Sequence, residues 1–251
     1  MDPEHFGPAQ YDRLRDAVRD LSWLRSRGYT GTAPKKLVGD HYRLTRRQRN
    51  AVARSACSDA ERAHRLQARV FPRDVEGRDV HIDAFNVLIT VEAALGGAYL
   101  FVGRDTAYRD VNPLQGSYRI VQQTMPALES LTDALAALAP RQVTWHLDRS
   151  ISNVGRVKKR LRKMGRGVDL GWCLEEGNDV DEALQRVTSP VVTSDSAILD
   201  RSEAWLHLEA LVHHRYVPEA HVVDLRPDGE RSAWGPGGAW PEGPLTGDGS
   251  E

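Results

Sequence analysis

Cysteines and long apolar runs are scarce in this chain of 251 residues. Cys57 and Cys173 are its two cysteines, with no CxxC pair and no histidine at ligand spacing. We interpret both thiols as small buried hydrophobic residues and expect a cytoplasmic protein. No stretch approaches the roughly 18 apolar residues that span a bilayer. The start, MDPEHFGPAQ, lacks the basic and apolar parts of a signal peptide. We therefore expect no membrane partner, and the oligomeric state stays open.

The chain also lacks a large net charge, because 34 Lys and Arg oppose 35 Asp and Glu. The charges are segregated, however. Residues 1–73 hold 16 basic and 8 acidic residues, residues 149–166 hold 8 basic and no acidic ones, and residues 217–251 hold 7 acidic and 2 basic ones. Two basic blocks in a near-neutral protein indicate a polyanionic partner. The alternative is that they are solvated helix faces balanced by acids elsewhere.

The spacing of apolar residues predicts three parts. Residues 1–74 carry helical signals, including a capping box from Thr45 to Gln48, and are expected to form a basic α-helical module. Residues 75–225 alternate between strand and helix patterns, which indicates an α/β domain with a largely parallel sheet and flanking helices. Residues 226–251 are rich in Gly, Pro and acids, and we expect a disordered tail.

Three predicted strands each end in an aspartate that is followed by a polar turn and a helix. These are Asp83 in IDAFN, Asp148 in HLDRSISN and Asp195 in TSDSAIL. The carboxyl ends of parallel strands lie at one edge of the sheet, so neighbouring strands would gather these acids. Crowded like charges are costly unless a cation lies among them, and oxygen ligands favour Mg²⁺ or Mn²⁺. The pattern therefore predicts a metal site for phosphoryl transfer or phosphodiester hydrolysis. The alternative is that some of the three cap the next helix.

The helix after Asp83 supplies two further candidates. Asn86 is a good helix N-cap residue. Glu92 follows six residues later, a little under two turns, and so lies on roughly the same side of the helix. We expect Glu92 to add a metal ligand beside Asp83.

The basic blocks supply the candidate nucleic-acid contacts. The turn SISNVGR resembles phosphate-binding loops, in which Ser152, Asn153 and Gly155 would hold a phosphate through backbone N–H groups at a helix start. The cations expected to extend this track, or to grip phosphates from the N-terminal module, are Arg156, Lys158, Lys159, Arg46, Arg47 and Arg49. The alternatives are a capped, solvent-facing helix after residue 153 and a helical cap on the main domain.

At the aspartates the sequence also resembles a known fold family. IDAFNVLITVE is similar to the opening of a PIN-like or NYN-type nuclease domain, whose first strand ends in a metal-binding Asp with an Asn nearby. VVTSDSAILD resembles the later strand with its Ser-Asp pair, and WHLDRSISNVGRVKKRL stands where the family has its central acid. Over residues 10–215 the chain resembles an uncharacterised prokaryotic family that joins a helical N-terminal module to a PIN-like domain.

The resemblance implies a three-layer PIN-like Rossmannoid sheet and a Mg²⁺- or Mn²⁺-dependent endoribonuclease. It implies that Asp83, Asp148 and Asp195 are the catalytic metal ligands, with Asn86, Ser194 and its neighbour Ser196 as polar supports. The segment GRDTAYRD departs from the family. Its Asp105 and Asp110 are either an added acidic pair or a turn ion-paired with Arg104 and Arg109, and we favour the turn.

Two other functions fit the same residues. The protein could bind RNA or ribosomes through a PIN-like fold without catalysing a reaction, or act as a phosphatase on small substrates through the same metal. For the ribonuclease, little aromatic surface accompanies the arginines, so contacts to phosphates rather than to bases are expected.

Overall fold

The computed structural model describes residues 2–111 and 116–230. The helices are α1 (Asp2–Phe6), α2 (Tyr11–Ser26), α3 (Thr32–His41), α4 (Arg46–Ser55), α5 (Asp59–Ala68), α6 (Ala84–Leu95), α7 (Thr124–Leu138), α8 (Val154–Gly165), α9 (Val180–Gln185), α10 (Ser196–Leu199) and α11 (Leu208–Tyr216). The strands are β1 (Arg69–Val70), β2 (Asp79–Asp83), β3 (Leu100–Val102), β4 (Tyr108–Arg109), β5 (Gln142–Asp148), β6 (Gly171–Gly177), β7 (Val191–Val192), β8 (Trp205–Leu206) and β9 (Val222–Asp224). None of the helices in these ranges is long and apolar enough to cross a bilayer.

The described residues divide into two compact units. Unit 1 comprises residues 2–67, 97–111 and 219–230, and unit 2 comprises residues 68–96 and 116–218. The predicted division at residues 74 and 225 differs from this one because two later segments of the chain belong to unit 1. Of the predicted tail, residues 226–230 lie in unit 1, and residues 231–251 lie outside the described part of the chain.

Unit 1 combines helices with a small sheet. Helix α2 buries Leu14, Val18 and Leu21, which recur at helical spacing. Helix α4 begins with the predicted capping box, in which Thr45 accepts the Gln48 backbone N–H and the Gln48 side chain accepts the Thr45 backbone N–H. The sheet has the order β4-β3-β9, antiparallel between β3 and β4 and parallel between β3 and β9. The N-terminal module is therefore not purely helical.

Unit 2 is an α/β unit built on a six-stranded parallel sheet in the order β1-β8-β7-β2-β5-β6. From β2 the chain moves through β5 to β6, and it then returns to the other side of β2 to form β7 and β8. Because crossover connections are right-handed, this reversal places α9 and α10 on the face opposite α6, α7 and α8. The architecture is a three-layer, Rossmann-like arrangement.

The two faces of the sheet are packed unequally. Val143, Trp145 and Leu147 of β5 are fully buried in the larger core, which also includes residues of α6, α7, α8 and α11. The opposite face carries a smaller core, in which α9 and α10 pack on Val191 of β7. The acidic strand ends are positioned by these strands and by the thinner α9–α10 layer.

Candidate functional site

The order of the strands gathers the three predicted aspartates at one edge of the sheet. β2 lies between β7 and β5 and is parallel to both. Asp83 and Asp148 are the last residues of β2 and β5, and Asp195 lies three residues beyond β7. The order in which the chain adds strands to the sheet reverses between β2 and β7. In open α/β sheets, ligands bind at such a topological switch point. The prediction that the strands of the three aspartates are neighbours in the sheet is confirmed.

Asp83 links the ends of β2 and β7. Its backbone is extended, and its Oδ1 atom accepts the Asn86 backbone N–H at 3.5 Å, so Asp83 rather than Asn86 is the N-cap of α6. Its Oδ2 atom accepts a hydrogen bond of 2.9 Å from the Thr193 hydroxyl. The Thr193 Oγ1 atom accepts the Asp195 backbone N–H at 3.1 Å. The buried Thr193 hydroxyl therefore holds the two acidic turns together.

Asn86 and Ser194 form a second link between the same strand ends. The Asn86 Oδ1 atom accepts the Ser194 backbone N–H at 2.8 Å and the Ser194 hydroxyl at 2.9 Å. Both residues were predicted to support the site, and they contact each other across the switch point. Ser196, the third predicted support, is the half-buried first residue of α10.

Asp148 and Asp195 each use one carboxylate oxygen for a local turn. The Asp148 Oδ1 atom accepts the Ser150 backbone N–H at 2.8 Å, and the Asp195 Oδ1 atom accepts the Ala197 backbone N–H at 2.7 Å, capping α10. The alternative prediction that some aspartates cap helices is thus correct for Asp83 and Asp195. For Asp148 and Asp195, the Oδ2 atom has no hydrogen-bond partner among the described residues.

A fourth acid, Asp181, was missed in the sequence. It lies in the first turn of α9, which packs against the strands β2 and β5. Burial raises the pKa of Asp181, and the charges of Asp195 and Asp148 raise it further. The signal in the sequence was an acid in a short helix directly after β6, which repeats the strand, turn and acid pattern of the other three.

The electrostatics of the four acids are those of a crowded anionic site. Burial raises the pKa of Asp83 to about 7, and the charges of Asp195 and Asp181 add to this effect, while the Thr193 hydroxyl opposes it. Within the described ranges, no Lys or Arg forms an ion pair with any of the four. No three His, Cys, Asp or Glu side chains there lie close enough together to coordinate one ion as they stand. As far as the described residues show, the site has excess negative charge and no counter-ion.

Glu92 does not join these acids. It lies nine residues beyond the N-cap Asp83, about 13 Å along the α6 axis at 1.5 Å per residue. Its buried carboxylate accepts hydrogen bonds from the Tyr118 and Thr124 hydroxyls, and burial raises its pKa. The placement beside Asp83 was wrong because Glu92 faces the segment leading into α7. The structure gives it a role in packing rather than at the strand ends.

Asp105 and Asp110 lie in unit 1, where they form ion pairs. Asp105 is buried between Arg65, at 2.6 Å, and Arg109, at 2.7 Å, and Asp110 pairs with Arg54 at 3.3 Å. Burial opposes the ionisation of Asp105, but the two guanidinium charges outweigh it and hold its pKa well below the usual range. The favoured interpretation as an ion-paired turn is therefore correct for Asp105 and Arg109.

The start of α8 is held by its side chains. The Ser152 hydroxyl and the Asn153 amide donate to the Tyr118 carbonyl at 2.9 and 2.8 Å, and the Ser152 Oγ atom accepts the Tyr118 backbone N–H. Lys158 pairs with Glu176 at 2.7 Å. Arg156 and Lys159 are exposed, and neither pairs with an acid in the described ranges. The predicted cations of α8 therefore separate into neutralised and free ones.

The predicted cations of α4 differ in the same way. Arg49 pairs with Asp40 at 2.8 Å and donates to the Leu44 carbonyl. The Arg47 guanidinium lies over the Phe6 ring at 5.9 Å. Arg46 is exposed. Two of these three side chains thus contribute to the packing of unit 1.

Residues 72–211 match a family described as a domain of unknown function, DUF5616, over more than half of the chain. The chain belongs to the DUF5616 family. The DUF5616 match includes all four aspartates of unit 2. Residues 13–67 match DUF434, described as a protein of unknown function. The uncharacterized protein MJ0935 of Methanocaldococcus jannaschii is 28% identical over 186 residues, which cover 74% of this chain and 88% of that protein. No solved structure matches the chain.

Proposed function

We propose that unit 2 is a PIN-like domain that hydrolyses phosphodiester bonds in RNA with Mg²⁺ or Mn²⁺. One observation carries the proposal: four aspartates, one of them with its pKa raised to about 7, influence one another's charge around the carboxyl ends of β2, β5 and β7 and have no cationic partner among the described residues. Structural acids are normally neutralised by a neighbour, so this arrangement favours an external cation.

The donor set fits a hard divalent cation. Carboxylate oxygens are what Mg²⁺ and Mn²⁺ prefer, and Asp148 and Asp195 each keep one oxygen that no described residue occupies. Asp83, Asp148, Asp195 and Asp181 would hold the ion. When bound, it would polarise the phosphoryl oxygen and supply an activated water.

The neighbouring side chains would position these acids. The Thr193 hydroxyl orients the Asp83 carboxylate by its 2.9 Å hydrogen bond, and Asn86 fixes the turn of Ser194 that presents Asp195. Such support keeps the carboxylates oriented before a substrate arrives. Asp83 is protonated in part near neutral pH, so activity should rise with pH until this carboxyl ionises.

A second function is favoured by a different observation. No three acids in the described ranges lie close enough together to hold an ion as they stand. An RNA-binding protein that has lost catalysis would retain the fold and the basic α8 while its acids drift apart. This alternative predicts RNA binding without products in any divalent ion.

Cleavage of a labelled RNA in Mn²⁺ tests the proposal. Asp83→Asn, Asp148→Asn and Asp195→Asn should each lower kcat by about 10³-fold, which corresponds to about 4 kcal/mol of barrier. Asp79→Asn is the matched control, because Asp79 lies at the opposite end of β2 and pairs with Arg141. The control should cleave like the wild type.

The proposal would be overturned by two results. One is a triple variant of the strand-end aspartates that still cuts RNA at the wild-type rate. The other is a wild-type protein that binds RNA equally well in EDTA and in Mn²⁺ and forms no product in either. Circular dichroism and thermal unfolding of each variant separate lost chemistry from lost fold.

A further inference from the structure

Unit 2 contains a basic groove that is separate from the acidic strand ends. It lies between the first turn of α7 and the second half of α8, and has a volume of about 850 Å³. Its lining residues are Met125, Lys159, Arg160, Arg162, Lys163 and Arg166. We call this the α8 groove. Helix α8 starts at the strand-end edge after Asp148 and runs away from it, so the groove begins about five residues, or 7 Å, into the helix.

The cations of the α8 groove have no acidic partners among the described residues. Lys159, Arg162, Lys163 and Arg166 are exposed, and none of them forms an ion pair there. Helix α8 contains no acid, unlike α2, where Asp12 and Asp16 pair with arginines. Lys158, on the flank of α8, pairs with Glu176 and does not line the groove.

The position of these cations is not explained by the helix alone. A helix dipole stabilises cations in the last turn, which accounts for Arg162 and Lys163. It does not account for Lys159 and Arg160, which lie in the middle of α8. Lys159, Lys163 and Arg166 follow the spacing i, i+4, i+7 and form one line of about 10 Å along the helix. A line of cations beside a groove complements a chain of phosphates.

We propose that the α8 groove binds the backbone of the RNA strand away from the cleavage site. The choice of RNA as the polyanion rests on the proposed function. None of the described residues that line the groove is aromatic, so bases would not stack on them and binding would be indifferent to sequence. A strand held both in the groove and at the acids must be longer than one that reaches the acids alone. Short RNAs should therefore be poor substrates through KM rather than kcat.

Binding of fluorescein-labelled 20-nucleotide oligo(U) and oligo(A) to the full chain in EDTA tests this without requiring cleavage. The variant combines Lys159→Gln, Lys163→Gln and Arg166→Gln. The matched control removes the same charge from paired cations of unit 2: Arg141→Gln, Arg149→Gln and Arg186→Gln, whose partners are Asp79, Glu176 and Glu182. Fluorescence anisotropy is measured from 0.05 to 0.5 M salt.

The expected loss follows from counterion release. A single strand contributes about 0.7 to the salt slope for each phosphate neutralised, so losing three contacts lowers the slope by about 2. At 0.1 M salt this is about a 100-fold weaker Kd for both oligonucleotides. The control should change the Kd by less than about threefold.

Three outcomes overturn the groove assignment. In the first, the triple variant binds both RNAs like the wild type. In the second, the control loses as much affinity for RNA as the variant. In the third, the substitutions weaken binding to vesicles of 30% phosphatidylserine in phosphatidylcholine but leave the affinity for RNA unchanged. These results are distinct from failure of the proposed function. A wild type that binds with the expected slope but never cleaves RNA supports the groove and rejects the nuclease, and the reverse pattern rejects the groove alone.

Discussion

The two units handle a buried carboxylate in opposite ways. In unit 1, Asp105 is enclosed by the guanidinium groups of Arg65 and Arg109, which hold its pKa well below the usual range. In unit 2, Asp83 has a hydroxyl and a backbone N–H as partners and other carboxylates nearby, and burial raises its pKa to about 7. The fully buried Asp105 and the half-buried Asp83 thus have opposite pKa shifts, because the neighbouring charges differ.

This difference separates a structural acid from a candidate functional one. A carboxylate with two internal cations needs nothing further to be stable in its charged form. A group of carboxylates without such cations is stable only when protonated or when an external cation binds. The strand-end aspartates of unit 2 are therefore candidates for function, whereas Asp105 of GRDTAYRD is ion-paired within unit 1.

Removing the charge of Asp105 should have the largest effect on stability. Asp105→Asn leaves Arg65 and Arg109 buried beside a neutral group, and we expect a loss of about 3–5 kcal/mol in the free energy of unfolding. Urea denaturation measures it. Asp12→Asn, which removes an exposed partner of Arg15 in the same unit, is the control and should leave the midpoint unchanged. Equal midpoints for the two variants would contradict the structural role.

Asp181 tests the role of the acidic site in unit 2. Asp181→Asn should leave the fold intact, because the side chain forms no hydrogen bond or ion pair with the described residues. If it helps to hold the ion, kcat for RNA cleavage in Mn²⁺ should fall about 100-fold, or about 2.7 kcal/mol of barrier. Higher Mn²⁺ should restore part of the rate. Wild-type kcat at low Mn²⁺ would remove Asp181 from the site.

The raised pKa of Asp83 has a consequence for stability that can be measured without RNA. The folded protein binds this proton up to about pH 7, and the unfolded chain releases it near 3.8, the ordinary pKa of an aspartate. The stabilisation is complete below that lower value and is lost as the pH rises through 7. A rise in the pKa from 3.8 to about 7 corresponds to about 4 kcal/mol, and the partial exposure of Asp83 reduces this to about 1–2 kcal/mol.

Asp83→Asn should abolish this pH dependence. In EDTA, the wild type should lose about 1–2 kcal/mol relative to the variant between pH 5 and pH 8, as measured by urea denaturation. Asp79→Asn serves again as the control on the same strand. Parallel stability curves for the wild type and Asp83→Asn would mean that the Asp83 carboxyl is ionised throughout.

Thr193 should give the smallest of these effects. Thr193→Val keeps the side-chain shape but removes the hydroxyl that donates to Asp83 and accepts from the Asp195 backbone N–H. We expect a loss of about 1 kcal/mol in unfolding free energy and a further rise in the pKa of Asp83. Thr132→Val, at a buried hydroxyl on α7 that donates to the Leu128 carbonyl, is a suitable control for the stability change alone. A pKa of Asp83 that is unaltered in Thr193→Val would contradict the coupling.

The sequence predicted the strand-end aspartates because that signal is local. Asp83, Asp148 and Asp195 each follow a short apolar segment, and the parallel pairing of their strands places all three at one edge of the sheet. Asp181 follows β6 in a similar pattern but was missed, because it lies on α9 and not at the strand end, and the packing of α9 on β2 and β5 brings it near the others. Glu92 was misplaced because the phase of α6 alone does not reveal that Tyr118 and Thr124 approach it.

The division into units was missed for a similar reason. Strands β3 and β9 pair in register from Leu100 with Val222 to Val102 with Asp224, across more than a hundred residues of chain. Nothing in the sequence of either strand indicates which strand it pairs with. Both were therefore assigned to the domain in which they occur along the sequence. The helices of unit 1 were predictable, because capping residues and the helical spacing of apolar residues are local features of each segment.

The most direct test of the divalent-cation site is a calorimetric titration of Mn²⁺ into the full chain at pH 8. We predict saturable binding by the wild type, unchanged binding by Asp105→Asn where that variant folds, and no binding by the combined Asp83→Asn, Asp148→Asn and Asp195→Asn variant. Equal binding by the wild type and the combined variant, or none by the wild type, would contradict the assignment of the strand-end aspartates to a cation.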